Sequence, residues 1–409
     1  MKRNDNLVVG LDIGTTKICA VIGEAGPDGV DIIGVGTHPS DGLRKGHVVN
    51  IDATVSSIKK AIEEAEIMAG CEIMDVYTGI AGGHINSFDS HGMIAIKDKE
   101  ISENDIKRVI DQARTVAIGL DREVIHILPQ EFIIDGQDGI KEPLGMSGVR
   151  LEAKVHMVTG AVSSAQNIIK CANKSALNVM DIVLQSLASS EAVLSAEEKE
   201  VGVCIVDIGG GTIDMATFYE GSVKHTAEIC LGGTHLTKDL AVGLRTSPNE
   251  AEKIKKKYGC AMVSMVGKDE MVEVPGVGGR KPKVISRATL AEIIEPRIEE
   301  MLTLINEEMK KSGFKEMMAS GVVLTGGTAL LEGIVELSEN IFDLPVRRGL
   351  PTKVGGLIDV VNSPAYATGV GLVIYGSKND RGVSRFKMRD DHIFGKVKHR
   401  MMEWFKEFF

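Results

Sequence analysis

Apolar runs and amphipathic segments alternate along the body of the chain, and this alternation predicts an α/β fold. Apolar residues at 7–11 and 18–22 flank a polar, glycine-containing turn at 12–17, which predicts a hairpin of two buried strands. Apolar positions recur with a helical period through 52–69, and Gly70 follows them, so we expect a helix that ends at Gly70.

Two further helices are predicted from their start signals. Ser102, with Asp105 three residues later, indicates an N-cap, and an apolar helical face follows it. Thr289 with Glu292 indicates a capping box at the start of a long helix that runs to about Gly313.

One hairpin motif occurs twice. The sequence LDIGTTKI at 11–18 reappears as VDIGGGTI at 206–213, and each copy lies between two apolar strands. A single turn of this kind is weak evidence, since such turns are common in hairpins. Two copies at a separation of domain size predict a chain built from two similar halves.

The residues of both turns suit phosphate binding. Glycines lack a Cβ atom, so their N–H groups can close on an anion, while threonine hydroxyls and a lysine add donors and positive charge. The aspartates at the two strand ends, Asp12 and Asp207, could hold Mg²⁺ through its water shell. The alternative is two structural hairpins with surface carboxylates. The residues predicted to contact phosphate are Gly14, Thr15, Thr16, Lys17, Gly209, Gly210, Gly211 and Thr212.

A third segment fits the same cleft. The apolar strand at 321–325 ends in Gly326 and Gly327, and Thr328 and a predicted helix follow. Paired glycines let a flat ring approach the backbone, and a helix N-terminus adds a favourable dipole. Alone, the segment would be an ordinary strand-to-helix turn. With the two hairpins it completes a predicted nucleotide cleft.

Composition excludes several classes of protein. The 409 residues suggest two or three domains, and 43% apolar with 25% charged residues is typical of a globular chain. A net charge of −10 argues against general nucleic-acid binding, which requires many cations. No apolar run approaches the ~18 residues of a membrane span, and no secretory signal is visible. The six cysteines form no CxxC pair and indicate reduced thiols in a cytoplasmic protein.

The segment 378–409 differs from the body of the chain. It holds nine Lys and Arg against five Asp and Glu, so it carries +4 while the rest carries −14. From 394 to 409, apolar side chains fall on one helical face and most charged ones on the other, which predicts an amphipathic helix in a membrane interface. The alternative is a helix docked on a partner or on the body. The predicted membrane face consists of Phe394, Val397, Met401, Trp404, Phe405 and Phe408.

Taken together, these motifs resemble those of the actin, Hsp70 and hexokinase ATPase superfamily, with 181–194 and 364–371 as two connecting helices. Within that superfamily the chain resembles the FtsA family of bacterial division proteins, from residue 7 to residue 409. The most specific stretches are LPQEF at 128–132, AVGLRT at 241–246, VPGVGGR at 274–280 and LAEIIEPR at 290–297.

The resemblance implies an actin-like, two-lobed ATPase fold of duplicated RNase H-like domains, with a family-specific inserted subdomain and a C-terminal amphipathic helix. The implied parts are subdomain 1A at 1–84, 163–198 and 355–377, the inserted subdomain 1C at 85–162, subdomain 2A at 199–228 and 304–354, subdomain 2B at 229–303, a flexible linker at 378–392 and a membrane-targeting helix at 393–409.

The resemblance also implies ATP with Mg²⁺ as the ligand of the cleft. It places Gln185 where actin-like ATPases position the attacking water, and it places Glu252 and Lys255 beside adenosine. Each residue has a simpler explanation, because Gln185 could be a polar residue at a helix start and Lys255 could belong to a solvated lysine run. We expect at most slow ATP hydrolysis, with scaffolding as the main role.

FtsA-like proteins tether the tubulin-like protein FtsZ to the membrane. The resemblance therefore implies a peripheral protein on the cytoplasmic side of the cell inner membrane, at the division septum. It implies ATP-dependent filaments, a tail on an anionic lipid surface, and later division proteins bound through 85–162. The FtsZ C-terminal tail is expected on subdomain 2B, although the apolar residues named for it could belong to the core. Those contact residues are Arg287, Leu290, Ile294 and Arg297.

A soluble small-molecule kinase of the same superfamily is the alternative function. Such an enzyme requires a catalytic base that faces the acceptor, and we can place none convincingly in the sequence. The amphipathic tail also favours a membrane scaffold.

Overall fold

The computed structural model describes residues 6–27, 29–267, 269–276, 278 and 281–379. Strands and helices alternate and form two lobes with a smaller inserted subdomain. The strands are β1 Leu7–Ile13, β2 Lys17–Gly26, β3 Gly29–Pro39, β4 Leu43–Arg44, β5 His47–Val48, β6 Asp75–Ile80, β7 Asn86–Ala95, β8 Arg122–Ile134, β9 Gln137–Ile140, β10 Arg150–Ala161, β11 Asn178–Leu184, β12 Val203–Ile208, β13 Ile213–Tyr219, β14 Ser222–Ile229, β15 Met271–Val274, β16 Lys283–Ser286, β17 Val322–Thr325, β18 Val346–Arg348 and β19 Val354–Gly356.

The α-helices are α1 Ile51–Ala69, α2 Glu103–Ala113, α3 Val162–Lys174, α4 Gln185–Val193, α5 Ala196–Val201, α6 Gly233–Leu244, α7 Pro248–Tyr258, α8 Arg287–Lys311, α9 Ile334–Phe342, α10 Ile358–Val361 and α11 Ala367–Asn379. Short 3₁₀ helices cover Val263–Met265, Lys315–Met317, Gly327–Leu330 and Pro364–Tyr366.

The first lobe is built on a six-stranded sheet with the order β11-β6-β1-β2-β3-β19. β1 and β2 form the predicted antiparallel hairpin, and β6 and β11 run parallel to β1. Helix α1 begins at an Asn50 cap and ends at Gly70 in the left-handed conformation, as predicted. Its backbone lies against Gly36 of β3, where a Cβ atom would collide with the Ala61 carbonyl.

The second lobe repeats this arrangement in a five-stranded sheet with the order β14-β13-β12-β17-β18. β12, β13 and β14 form an antiparallel meander, and β17 and β18 are added in parallel orientation. The meander corresponds to β1, β2 and β3 of the first lobe. The predicted duplication is confirmed by this shared topology.

Between β6 and α3 the chain forms a separate antiparallel sheet with the order β7-β10-β8-β9. This sheet belongs to the inserted subdomain, and with helix α2 it encloses a core distinct from the cores of the two lobes. Helix α2 begins with the predicted cap. The Ser102 hydroxyl accepts a hydrogen bond from the Asp105 N–H, and the Asp105 carboxylate accepts one from the Ser102 N–H.

The first connecting helix begins later than the family resemblance implied. Residues 181–184 complete strand β11, which pairs in parallel with β6, and helix α4 starts at Gln185. An apolar run of this length does not distinguish a buried parallel strand from a buried helix. The second connection is a short 3₁₀ helix followed by α11.

Helix α8 begins earlier than predicted. The Ser286 side chain accepts a hydrogen bond from the Ala288 N–H and caps the helix, so its first residue is Arg287. The expected capping box at Thr289 and Glu292 is therefore wrong, and both residues lie inside the helix.

Helix α11 continues to Asn379, so the chain is still helical where the linker 378–392 was expected to begin. The rest of that linker and the predicted membrane helix at 393–409 lie outside the described residues. Among the helices that are described, none is long and apolar enough to cross a membrane.

Candidate functional site

The two repeated turns have the same backbone geometry. The Gly14 N–H donates to the Lys17 carbonyl at 3.0 Å, and the Gly209 N–H donates to the Thr212 carbonyl at 2.9 Å. Each turn therefore closes a tight hairpin between two buried strands.

The two turns face each other across a cleft between the lobes. A Cβ atom on Gly210 would lie 2.5 Å from Thr16 Oγ1, and one on Gly211 would lie 2.6 Å from Thr15 Oγ1. A Cβ atom at either position would have to displace the threonine side chain of the opposite turn. The arrangement brings hydroxyl and backbone N–H groups together, and these are the donors that bind phosphate.

The third predicted segment packs against the second turn. Gly326 has a φ of +84°, and a Cβ atom there would collide with Oδ1 of Asp207. Thr328 donates from Oγ1 to the Gly209 carbonyl at 3.1 Å. The helix expected after the paired glycines is a 3₁₀ helix, because the chain turns again at Gly333 before α9 begins.

Helix α6 points its N-terminus at the second turn. The Gly233 N–H donates to the Gly209 carbonyl at 3.0 Å, and the Thr234 N–H donates to the Gly210 carbonyl at 2.8 Å. Sequence reasoning missed this contact. The available signal in the sequence was the glycine pair Gly232 and Gly233. In the structure, a Cβ atom on Gly232 would lie 2.7 Å from the Gly209 carbonyl oxygen.

Glu252 and Lys255 lie on α7 and line the cleft. Lys255 Nζ binds Glu252 Oε2 at 2.6 Å and also donates to the Gly233 carbonyl and the Thr237 hydroxyl. Burial lowers the pKa of Lys255, and Glu252 opposes that shift. The Lys255 side chain is 13% exposed, against 74% for Lys256. The solvated-lysine explanation therefore fits Lys256 but not Lys255.

Asp12 is the acid of the first turn, and it is partly buried. Burial raises the pKa of Asp12 to about 6, while Lys17 lowers it and Asp207 raises it further. Gln185 donates from Nε2 to Oδ1 of Asp12 at 3.3 Å. Lys17 donates from Nζ to the Ala365 carbonyl at 2.5 Å. Gln185 thus stands at a helix start and also beside the acid of the cleft.

Asp207 is held by both connecting helices. Its Oδ2 accepts hydrogen bonds from Ser189 of α4 at 2.6 Å and from Thr368 of α11 at 3.0 Å. Burial raises the pKa of Asp207, while these hydroxyls and Lys17 oppose the shift. The acid of the second turn is therefore in direct contact with the helices that join the lobes.

Asp214 is a cleft residue that sequence reasoning missed. It lies opposite Asp207 in the β12–β13 ladder, is 1% exposed, and accepts a hydrogen bond from Thr212 Oγ1 at 3.0 Å. Burial, together with Asp207 and Asp12, raises the pKa of Asp214 well above its usual value. The available signal was an acidic residue inside an otherwise apolar strand.

The cleft has a volume of about 710 Å³. It brings together every residue that the sequence predicted for phosphate, magnesium, adenosine or attacking water. These residues are Asp12, Gly14, Thr15, Thr16, Lys17, Gln185, Asp207, Gly209, Gly210, Gly211, Thr212, Glu252, Lys255, Gly326, Gly327 and Thr328.

The chemistry of these residues fits a nucleotide with magnesium. The glycine turns let the two backbones approach closely at the cleft, and Asp12 and Asp207 offer the carboxylate oxygens that Mg²⁺ prefers. Across the part of the chain that the structure describes, no group of three or more His, Cys, Asp or Glu side chains is placed to bind a metal. Two carboxylates suit a cation that keeps most of its water.

The surface predicted for the FtsZ tail needs a correction. Leu290 and Ile294 are fully buried in the core of the second lobe, because they share the inward face of α8. They cannot supply exposed apolar contacts. The two arginines are ion-paired: Arg287 with Glu270 and Glu332, and Arg297 with Asp239 and Glu300.

The fold and the cleft define a protein of the actin-like, two-lobed fold class. The structure titled PilM-PilN type IV pilus biogenesis complex is similar with a TM-score of 0.66 and 15% identity, over 90% of this chain and 98% of that chain. MreB5 of Spiroplasma citri bound to ADP is similar with a TM-score of 0.59 and 15% identity, over 93% of this chain and 100% of that chain. At these identities the likeness shows the fold.

The sequence comparisons are more specific. The family model described as Cell division protein FtsA matches residues 204–371, and the model of the SHS2 domain inserted in FtsA matches 82–159. Cell division protein FtsA of Pseudomonas aeruginosa is 53% identical over 93% of this chain and 92% of that protein. Its namesake in Escherichia coli K12 is 43% identical over 98% of both chains. The chain belongs to the FtsA family of cell division proteins.

Proposed function

We propose that the protein binds ATP with Mg²⁺ in the cleft and acts as a nucleotide-regulated scaffold of cell division. The observation that carries this proposal is the convergence of both glycine turns and the Gly326 segment on one cleft. Because Asp207 contacts both connecting helices, a nucleotide bound beside it would fix the angle between the lobes. ATP-dependent filament formation would be the result of that closure.

Hydrolysis would use Gln185 to orient water near Asp12. The side chain is within reach of the phosphate end of the cleft, but it is bound to a carboxylate and not to an activated base. We therefore propose an ATPase that is slow at most, with bound ATP serving chiefly as the signal for assembly.

The tail supplies the proposed membrane contact. The aromatic face of 394–409 and the cations on its other face suit an anionic lipid surface. One such helix binds weakly and reversibly, so stable attachment requires several helices at once. A filament would provide them and would place the protein at the cytoplasmic side of the inner membrane, at the septum.

The FtsZ tail would bind subdomain 2B. Met271 and Val284 are exposed on the β15–β16 hairpin, and Arg287, which follows directly, is paired with Glu270 and Glu332. An acidic, partly apolar peptide would cover the hairpin and exchange one of its carboxylates for Glu270 or Glu332 at Arg287. We expect Arg287→Glu to weaken binding of an FtsZ tail peptide, measured by fluorescence anisotropy. Arg108→Glu, on the inserted subdomain, is the control. An unchanged affinity of Arg287→Glu would argue against this site.

Later division proteins would bind the inserted subdomain.

Vesicle co-sedimentation tests the central proposal. Full-length protein and a version that ends at Asn379, which keeps Lys378 and its contact with Glu191, are mixed with anionic vesicles, with and without Mg-ATP. We expect ATP to increase pelleting of the full-length protein and the shortened version to stay in solution while still binding ATP. Membrane binding that survives the truncation would refute the tail assignment. An acceptor-dependent release of ADP would instead support the kinase alternative, which family membership disfavours.

A further inference from the structure

The inserted subdomain touches the second lobe along β14, the edge strand of its sheet. Ser87 donates from Oγ to the Thr226 carbonyl at 2.8 Å. Gln130 donates from Nε2 to the carbonyls of Val223 and Lys224 at 3.2 and 3.3 Å. The subdomain is joined to the first lobe by the chain itself and to the second lobe by these hydrogen bonds. It therefore bridges the two lobes.

The cleft end of β14 carries a different contact. Glu228 accepts a hydrogen bond from the N–H of Gly82, which lies in the root of the inserted subdomain, residues 81–85. Gly82 has a φ of +124°, a conformation that favours glycine, so the backbone itself sets the direction of this N–H. Glu228 thus ties the second lobe to the root.

Glu228 also lies directly opposite Asp214 in the β13–β14 ladder, so the two side chains share one face of the sheet. Oε1 of Glu228 and Oδ1 of Asp214 are both buried without a hydrogen-bond partner. One proton between the two carboxyl groups would give both oxygens a partner. Burial raises the pKa of both groups; Asp207 and Asp12 add to the shift of Asp214, and Asp214 and Cys230 add to that of Glu228.

These contacts reach both phosphate turns. In the second lobe, Thr212 donates to the other oxygen of Asp214. In the first lobe, a Cβ atom on Gly46 would lie 2.9 Å from Gly82 Cα, and the Gly46 N–H donates to Thr15 Oγ1 at 3.1 Å. The continuous path runs through Thr15, Gly46, Gly82, Glu228, Asp214 and Thr212.

We propose that Glu228 is a positioning residue of the nucleotide cleft. Through Asp214 it holds the second phosphate turn in place against the first turn and against the root of the inserted subdomain. This inference rests on the proposed nucleotide binding. Its consequence is that phosphate binding and the placement of the inserted subdomain depend on one contact. Removing Glu228 should loosen both.

Two substitutions of Glu228 separate this role from mere packing. Glu228→Gln keeps an acceptor for the Gly82 N–H and gains an amide that can donate to Asp214, so it imitates the protonated side chain. Glu228→Ala does neither. Gln130→Ala is the matched control, because it removes a bond between the inserted subdomain and β14 far from the carboxyl pair. Full-length protein is used throughout. The readouts are affinity for a fluorescent ATP analogue with Mg²⁺ and hydrogen–deuterium exchange at 80–85.

We expect Glu228→Ala to weaken binding of the analogue about tenfold, the usual effect of losing a buried hydrogen bond, and to speed exchange at 80–85. Glu228→Gln should keep both close to the wild-type values, and Gln130→Ala should keep the affinity. The proposal is overturned if Glu228→Ala retains wild-type affinity and exchange, or if Glu228→Gln is as impaired as Glu228→Ala.

Failure of the proposed function would look different. Wild-type protein that does not bind the analogue refutes nucleotide binding, while exchange at 80–85 without nucleotide still tests the Glu228 contact. If Glu228→Ala does not fold, Glu228→Asp decides, because the shorter side chain keeps the carboxyl group but draws it back from the Gly82 N–H. It should weaken binding of the analogue and speed exchange at 80–85. Wild-type values for both in Glu228→Asp would contradict the role.

Discussion

Asp12 shows how the cleft changes the chemistry of a single side chain. Its carboxyl group is partly buried near Asp207, and its pKa rises from 3.8 to about 6 even though Lys17 is close. The neutral form is therefore stabilising in the folded protein. That contribution is complete below about pH 4 and is lost as the pH rises through about 6. At neutral pH the empty cleft carries an unfavourable buried charge that a cation would relieve.

Asp12→Asn should therefore stabilise the nucleotide-free protein at about pH 7.5 while removing the effect of Mg²⁺ on nucleotide binding. Thermal unfolding and titrations with and without Mg²⁺ measure the two effects. Asp138→Asn, at an exposed position, is the control. A lower melting temperature for Asp12→Asn would contradict the argument from burial.

The paired glycines of the third segment should respond differently to alanine. A Cβ atom on Gly326 meets Asp207 and the backbone of β12, whereas one on Gly327 has nothing within 4 Å. Gly326→Ala should destabilise the protein by about 1–3 kcal/mol. Gly327→Ala should leave the melting temperature unchanged but lower ATP affinity roughly tenfold, since the space belongs to the ligand. Unchanged affinity in Gly327→Ala would remove that residue from the site.

At the scale of the element, helix α4 connects the acids of the cleft to a group of ion pairs near its C-terminal end. Its first residue, Gln185, reaches Asp12, and Ser189 one turn later reaches Asp207. Near its end, Glu191 binds Lys199 at 2.6 Å and Lys378 of α11 at 2.7 Å. The helix is buried on nearly all sides, so its position depends on both lobes.

We expect Glu191 to be essential for holding helix α4 in its position between the lobes. Burial disfavours its charged form, but Lys199 and Lys378 outweigh burial and hold the pKa of Glu191 well below its usual value. Its contribution to stability is present above the ordinary glutamate pKa and is lost as the pH falls through the lowered value. Glu191→Ala should cost about 3 kcal/mol of unfolding free energy, because it removes the carboxylate that pairs with Lys199 and Lys378 at a buried site.

Denaturant unfolding measures this cost, with Glu200→Ala as the control. Glu200 pairs with Lys141 at the surface, where both side chains are exposed, and its loss should change stability by less than about 1 kcal/mol. Equal effects of the two substitutions would show that the Glu191 network does not support α4.

The elements that sequence reasoning predicted well are those specified by neighbouring residues. The two hairpins, the Ser102 cap and the end of α1 at Gly70 depend on turn and cap chemistry within a few residues. The predicted start of α4 was wrong because residues 181–184 pair with β6 as a strand, although their apolar pattern also suits a helix. Asp214 and Glu228 were missed because their importance arises from pairing between strands and contact with a distant loop.

At the scale of the whole molecule, charge separates the body from its tail. The chain carries −10 in total, and residues 378–409 carry more cations than anions. An anionic surface would therefore repel the body, and the proposed attraction would come from the tail. Such attraction between exposed charges is screened by salt.

Pelleting of the full-length protein with anionic vesicles should therefore fall as salt rises from about 0.05 to 0.5 M, while the apolar face retains some binding. Vesicles of neutral lipid provide the control and should bind weakly at every salt concentration. Pelleting that changes neither with salt concentration nor with lipid charge would contradict an electrostatic role for the tail.

The hydrogen bonds from Ser87 and Gln130 to β14 also bear on solubility. An uncovered edge strand offers its backbone groups to any extended chain, which is a common route to aggregation. Here side chains occupy the carbonyls of Val223, Lys224 and Thr226. The inserted subdomain thus covers the edge strand of the second-lobe sheet and blocks pairing with another strand there. A chain that lacks it should scatter light on refolding, because its sheet edge would be free to recruit other copies.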